Sequence, residues 1–343
     1  MSSDRPKIGI GLARMHPQDM LTLAREADEA GLHAITVGDS SYDSLAVLSA
    51  MSAVTHRIKL VTNVATWTRT PVTLARACRS LDYLSDGRFI LGLGSMPARW
   101  NEEHHGISGE AMLSRMREYV ELVRILWEAT PDTPVDYTGR FYNVSGYRVH
   151  EPPPRPGIPI YIGASRRRMI RETGMWADGI LFNWNFTIPW FKETAFPALD
   201  EGVRRSGRSM DELELVAGRQ VCVTDDREEA EQARVAFRRH VARSYFAVDY
   251  HQKILTSLGF GEEVVDGAAA MARGDRDGAI NAVSDRMVDE FTIIGTPDEC
   301  RQRASEYTPL LSWFWLSPSA EGLSRSERLR AARRVIETFG DAQ

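Results

Sequence analysis

The chain has 343 residues, 43% of them hydrophobic and 26% charged, with a formal net charge of -5. That composition supports a large buried core, and the acidic balance gives no basis for nucleic-acid binding. The longest apolar runs are strand-sized, which excludes a membrane span, and the start, MSSDRPKIGIGL, lacks the apolar core of a signal peptide.

Residues 7–13 (KIGIGLA) predict a buried first strand. Pro17 and the apolar Leu21, Leu23, Ala24, Ala27 and Ala30 predict a helix that Gly31 ends. The second strand is expected at 34–37, a helix at about 44–54 and the third strand at 58–66. Thr70-Pro71 reads as the cap and first residue of a helix. The Ser85-Asp86-Gly87 turn leads into a fourth strand at 89–93, and a long amphipathic helix follows at about 111–128. Residues 130–157 are proline-rich and irregular, with room for a small strand at 139–144. Alternation then resumes: a strand at 158–162, a helix at 165–176, a strand at 179–184 and a helix at about 188–205. The seventh strand lies within 213–223, and Asp226 with Glu229 resembles a capping box for the next helix. Residues 247–290 are poorly patterned helical excursions. Thr296 to Glu299 opens another helix, the eighth strand is expected at 312–316, and Ser324 and Glu327 open the last helix.

Eight apolar strands separated by helices imply an α/β fold with parallel strands. Eight units favour a closed (β/α)8 TIM-like barrel over an open doubly wound sheet. The expected organisation is one barrel domain over 1–343, with insertions at about 130–157 and 247–290. In such a barrel the residues just after each strand line the active site.

Those positions are small, polar or aromatic. They include no carboxylate pair for hydrolysis and no Gly-x-Ser-x-Gly elbow. No histidine cluster suggests a metal, and Cys78, Cys222 and Cys300 lack metal-ligand spacing, as in a protein of the reducing cytoplasm. A site with glycines and aromatics but few titratable groups points to a borrowed cofactor. The clearest anion signal is Ile162 to Arg168, where a strand passes through Gly163 into a helix start with Ser165 as its cap and three arginines behind it. A solvated arginine run on an ordinary Ser-capped helix fits the same residues. His104 and His105, in a loop after the fourth strand, are candidate acid–base groups, because histidine titrates near neutrality. His16, Trp67 and Trp184 are candidates for the wall of a substrate pocket.

The pattern TNVATWTRTP followed by LDYLSDGRFILGLG resembles the bacterial luciferase-like superfamily of flavin- and deazaflavin-dependent oxidoreductases. GLHAITVGDS at 31–40, YIGAS at 161–165, WADGI at 176–180 and IGTPDEC at 294–300 add to it. The pattern is close to the methylenetetrahydromethanopterin reductase-like branch. The resemblance implies a TIM-like barrel, commonly dimeric. It implies cofactor-phosphate binding through Gly163, Ala164 and Ser165, with Arg166 adjacent. Gly94 and Ser95, and also Asn101, would lie near the pyrimidine end of the ring, and Asp39 would lie beside it. Asn63-Val64 matches a non-proline cis peptide that backs the ring in the deazaflavin-using branch. Two positions depart from the family's sugar-phosphate dehydrogenases: Ser40 follows Asp39 where they carry His, and Ser95-Met96 follows Gly94 where they carry Glu.

The reading is therefore a cytoplasmic, homodimeric oxidoreductase. It would transfer a hydride between coenzyme F420 and a small organic substrate, without metal, nucleic acid or membrane. The alternatives are an FMN-dependent luciferase-like monooxygenase and a non-catalytic flavin-binding protein.

Overall fold

The computed structural model describes residues 6–39, 41–151, 155–183 and 185–341. Eight parallel strands close into a barrel: β1 (Ile8–Gly11), β2 (Ala34–Val37), β3 (Lys59–Thr62), β4 (Phe89–Gly94), β5 (Ile160–Gly163), β6 (Gly179–Leu181), β7 (Glu214–Val223) and β8 (Trp313–Pro318). Each pairs with its successor, and β8 returns to pair with β1. Helices cover the outside of the ring.

The lumen is filled unequally. Ala34, Val61, Ile90, Tyr161, Leu181 and Val216 contribute one side chain from each of β2 to β7, while β8 contributes Trp313 and Trp315. Glycines make that room. A Cβ on Gly218 would lie 2.1 Å from the Trp315 ring, and one on Gly9 would lie 3.2 Å from Trp313. Each buried indole contributes roughly 4 kcal/mol of apolar transfer.

Among the predicted boundaries that differ, three bear on the site. The strand expected over 58–66 breaks into β3 and the short Ala65–Thr66, which pairs with β4 beyond the break. The loop expected to carry His104 and His105 is a helix, Ala98–His105, entered through Pro97 and ended by Gly106 in the left-handed conformation. The helix expected from Ser165 begins at Arg167, with Arg166 as the N-cap. Thr292–Gly295, an unanticipated strand, pairs in parallel with the end of β7, outside the ring.

Residues 130–157 hold an antiparallel hairpin, Val135–Thr138 with Asn143–Tyr147. The poorly patterned stretch contains four helices, Asp249–Ser257, Gly261–Ala272, Arg276–Asn281 and Asp285–Phe291. The Ser85–Arg88 turn leads into the start of β4, at the end of the barrel opposite the strand C-termini. Asp86 and Gly87 take positive φ (51° and 72°), and Arg88 donates to the carbonyls of Ser52, Thr55 and Ile58. Among the described residues, no helix is long and apolar enough to cross a membrane.

Candidate active site at the barrel mouth

The break after β3 shapes the mouth. The Asn63–Val64 peptide bond is cis, the conformation the resemblance implied. The half-buried Val64 side chain stands between β4 and β5. A Cβ on Gly94 would come within 2.5 Å of Val64 Cγ2, one on Gly163 within 3.1 Å of Cγ1, and one on Gly38 within 2.6 Å of Asn63 O. Three glycines at three strand ends therefore frame the bulge.

Asp39 staples it. Its N–H donates to Val64 O (3.2 Å), and its carboxylate accepts from Thr66 N, Ser44 N, Ser44 Oγ and both terminal nitrogens of Arg69. Burial pushes the carboxyl's pKa up, but the Arg69 and Ser44 hydrogen bonds outweigh it and hold the group below its ordinary value. Asp39 is thus a fixed anion committed to the scaffold.

Across the bulge, β5 runs through Gly163, Ala164 and Ser165 to the helix Arg167–Trp176. Its N-cap, Arg166, makes no side-chain cap, so the first N–H groups remain available for an anion. The Ser165 hydroxyl hydrogen-bonds the hydroxyl of Tyr250, and the Arg166 guanidinium lies 4.9 Å over the Tyr250 ring. Ser165 is therefore free of the capping role expected for it. Tyr250 comes from the first helix of the poorly patterned stretch. No motif marked it, because only the fold brings it 85 positions back to Ser165.

Beyond β4, Asn101 is fully buried. Its Nδ2 donates to Ser95 O (2.7 Å), and its Oδ1 accepts from Trp67 Nε1 (3.4 Å). Trp67 is only 2% exposed, with the Arg115 guanidinium over its ring, so it braces this loop from behind and is not an open pocket wall. His104 and His105 are solvent-exposed in the last turn of their helix, and His104 stacks on Trp100. Trp184 and Ser40 lie outside the described residues.

A cavity of about 220 Å3 opens over the lumen, lined among others by Thr36, Asn63, Gln220, Trp315, Ser317 and His240. Burial, with the nearby Arg14 cation, lowers the His240 pKa to about 4, so its ring is neutral at pH 7. Glu321, also on this cavity, is ion-paired to Arg14 (2.8 Å) and Arg243 (2.9 Å). His16 stands outside this cavity. Its Nδ1 accepts from Gln18 N and caps the helix Pro17–Glu29. Among the described residues, no group of three or more His, Cys, Asp or Glu is placed to hold a metal.

The family model for the luciferase-like monooxygenases matches residues 2–311. The chain is 31% identical over 267 residues, 76% of each sequence, to the 5,10-methylenetetrahydromethanopterin reductase of Archaeoglobus fulgidus. Among solved structures it resembles the coenzyme F420-dependent tetrahydromethanopterin reductase of Methanopyrus kandleri. That match has a TM-score of 0.71 and 25% identity and covers 98% of this chain and 99% of the other. A monooxygenase of Streptomyces bottropensis shares the fold at a TM-score of 0.71 and 21% identity, covering 97% and 98%.

Proposed function

Because this chain belongs to the luciferase-like monooxygenase family, we propose that it is a coenzyme F420-dependent oxidoreductase acting on a small organic molecule. The observation that carries the reading is the Val64 bulge, framed by Gly38, Gly94 and Gly163, in line with the Ser165–Arg168 anion cradle on β5. A flat ring and its phosphate need such a wall and such a cradle. The F420-dependent reductase whose fold this chain shares supports the choice of cofactor.

When bound, the deazaflavin would supply a hydride-carrying carbon. The residues present fit it. The N–H groups at the start of the helix Arg167–Trp176, with Ser165 and Arg166, would hold the phosphate. Val64 would support the ring, with Gly94 and Ser95 at its edge and Asn101 fixing the Ser95 carbonyl. Asp39 holds the bulge in register. The chain's part is to bind, orient and exclude water. The same reading takes residues 1–343 as one barrel domain, acting as a cytoplasmic homodimer.

The test is titration of the purified protein with coenzyme F420 and with FMN, each oxidised and reduced, followed by fluorescence and by oxygen uptake. F420 binding without oxygen uptake is expected. Tight FMN binding with oxygen uptake would replace the proposal with a monooxygenase. Binding of either without turnover against a panel of carbonyl, imine and alcohol substrates would favour a binding protein.

A further inference from the structure

A second cleft, of about 390 Å3, lies beside the mouth where the loops after β1 and β2 meet the last helix, Arg325–Phe339. Three arginines line it, Arg14, Arg325 and Arg328, against one carboxylate, Asp19. This is a cationic cleft on a chain whose net charge is -5. Asp19 is already spent: both its oxygens accept from Arg325 (2.7 and 2.8 Å). Arg14 is held by Glu321. Arg328 has no carboxylate partner among the described residues. Its Nε and Nη1 donate to the carbonyls of Leu323 and Arg14, which fixes the guanidinium between the start of the last helix and the loop after β1.

The other polar groups point the same way. His16 Nδ1 accepts from Gln18 N, which leaves Nε2 as the ring's donor toward the cleft. Tyr42, 43% exposed on the same cleft, adds a hydroxyl. The cleft therefore presents guanidinium, imidazole N–H and hydroxyl donors, and its one strong acceptor is occupied. A neutral substrate would gain little there, whereas a carboxylate or phosphate would meet planar, fixed donors.

We infer that this cleft binds an anionic group of the substrate, so that the substrate class is small acids or phosphate esters bearing a reducible or oxidisable carbon. The inference rests on the reading of the mouth as an oxidoreductase site. The barrel's order identifies the occupant. β5, with the phosphate cradle, is four strands from β1 in either direction around the closed ring. A cofactor phosphate held on β5 therefore lies across the barrel from the cleft, with a ring at Val64 between the two. The anion on that side belongs to the other reactant. Arg14 lines both the cleft and the mouth cavity, so the two are neighbours.

The experiment is calorimetric titration of the whole protein, first saturated with coenzyme F420, using inorganic phosphate in one arm and malonate in the other. At least one of the two should bind to wild type. Arg325→Gln, a change at an exposed side chain, should weaken that binding at least tenfold and leave the F420 dissociation constant unchanged. Arg328→Gln should do the same. If its fold is disturbed, Arg325→Gln alone decides. Ser165→Ala should do the reverse, weakening F420 and sparing the anion. Anion affinity unchanged in folded Arg325→Gln, or an anion site filled by F420 itself, would overturn the inference. Should F420 fail to bind at all, the cofactor reading falls. Arginine-dependent anion binding to the cofactor-free protein would then still establish the cleft.

Discussion

Asp39 offers the sharpest test of how the mouth is built. Asp39→Asn keeps the size but removes the charge, and it turns one acceptor oxygen into a donor facing Thr66 N–H or Arg69. Both partners are largely covered, with the Asp39 and Arg69 side chains 16% and 18% exposed. The near-zero value of an exposed pair therefore does not apply. Removing one partner of a buried pair costs about 3–5 kcal/mol. Arg69 retains Asp43, whose side chain is half exposed, so the expected loss is nearer 2–3 kcal/mol by the same principle. Urea unfolding at pH 7 measures it. The pH dependence supplies the second readout. The folded Asp39 carboxyl lies below its ordinary value of 3.8, so its contribution is complete above that value and is lost as pH falls through the folded pKa. The gap between wild type and variant should be flat from neutrality to about pH 5 and should close below 3.8. A loss under about 0.5 kcal/mol, the scale of ordinary surface changes, would refute the claim that Asp39 holds the bulge.

Gly92→Ala should be among the most damaging single changes, since its Cβ would sit 1.9 Å from Thr62 O in β3. A loss of about 3 kcal/mol or more is expected in the same urea assay. His33, whose pKa burial and the Lys59 and Lys7 charges lower to about 4, is neutral when folded. The unfolded chain binds that proton more readily, so stability should fall as pH drops from 6.5 towards 4. His33→Gln should recover about 2 kcal/mol of that loss at pH 5 by urea unfolding. Cys78, Cys222 and Cys300 are buried thiols whose pKa values burial raises, so a thiol reagent at pH 7.5 should label none in the native protein and all three in urea.

The strand count and the glycines at the mouth were legible in the sequence, because hydrophobic period and strand-helix alternation are local signals; closure of the ring was only favoured, since the same alternation fits an open sheet. The break at Asn63–Val64 was legible only through resemblance; by pattern alone, 58–66 is one continuous β-branched run. The Ser165 cap failed for a related reason. Ser165 has the composition of an N-cap, yet the turn places Arg166 there and gives the serine's hydroxyl to Tyr250, a partner set by tertiary packing. The Ser85–Arg88 turn is the opposite case. It is the most distinctive motif in the chain, yet it closes the end of the barrel away from the site.

The mouth also constrains how protons are handled. Asp39 is held ionised by Arg69 and Ser44 against its burial. Glu321, which burial alone would raise, is held below its ordinary value by Arg243 and Arg14. His240 is pushed down to about 4, mainly by burial. Ser95, not a glutamate, follows Gly94, and Met96 after it takes a left-handed turn (φ 54°). None of these three lumen-side groups changes charge between pH 6 and 8, so they supply fixed charge and shape. If the proposed F420 reaction holds, its turnover, followed by absorbance, should show no limb from these three groups across that range. His104→Gln and His105→Gln should leave the profile unchanged, because both rings project into solvent from the end of their helix. A limb near neutrality that either substitution abolishes would mean that this helix folds over the mouth during the reaction, and it would return the acid–base role to those histidines.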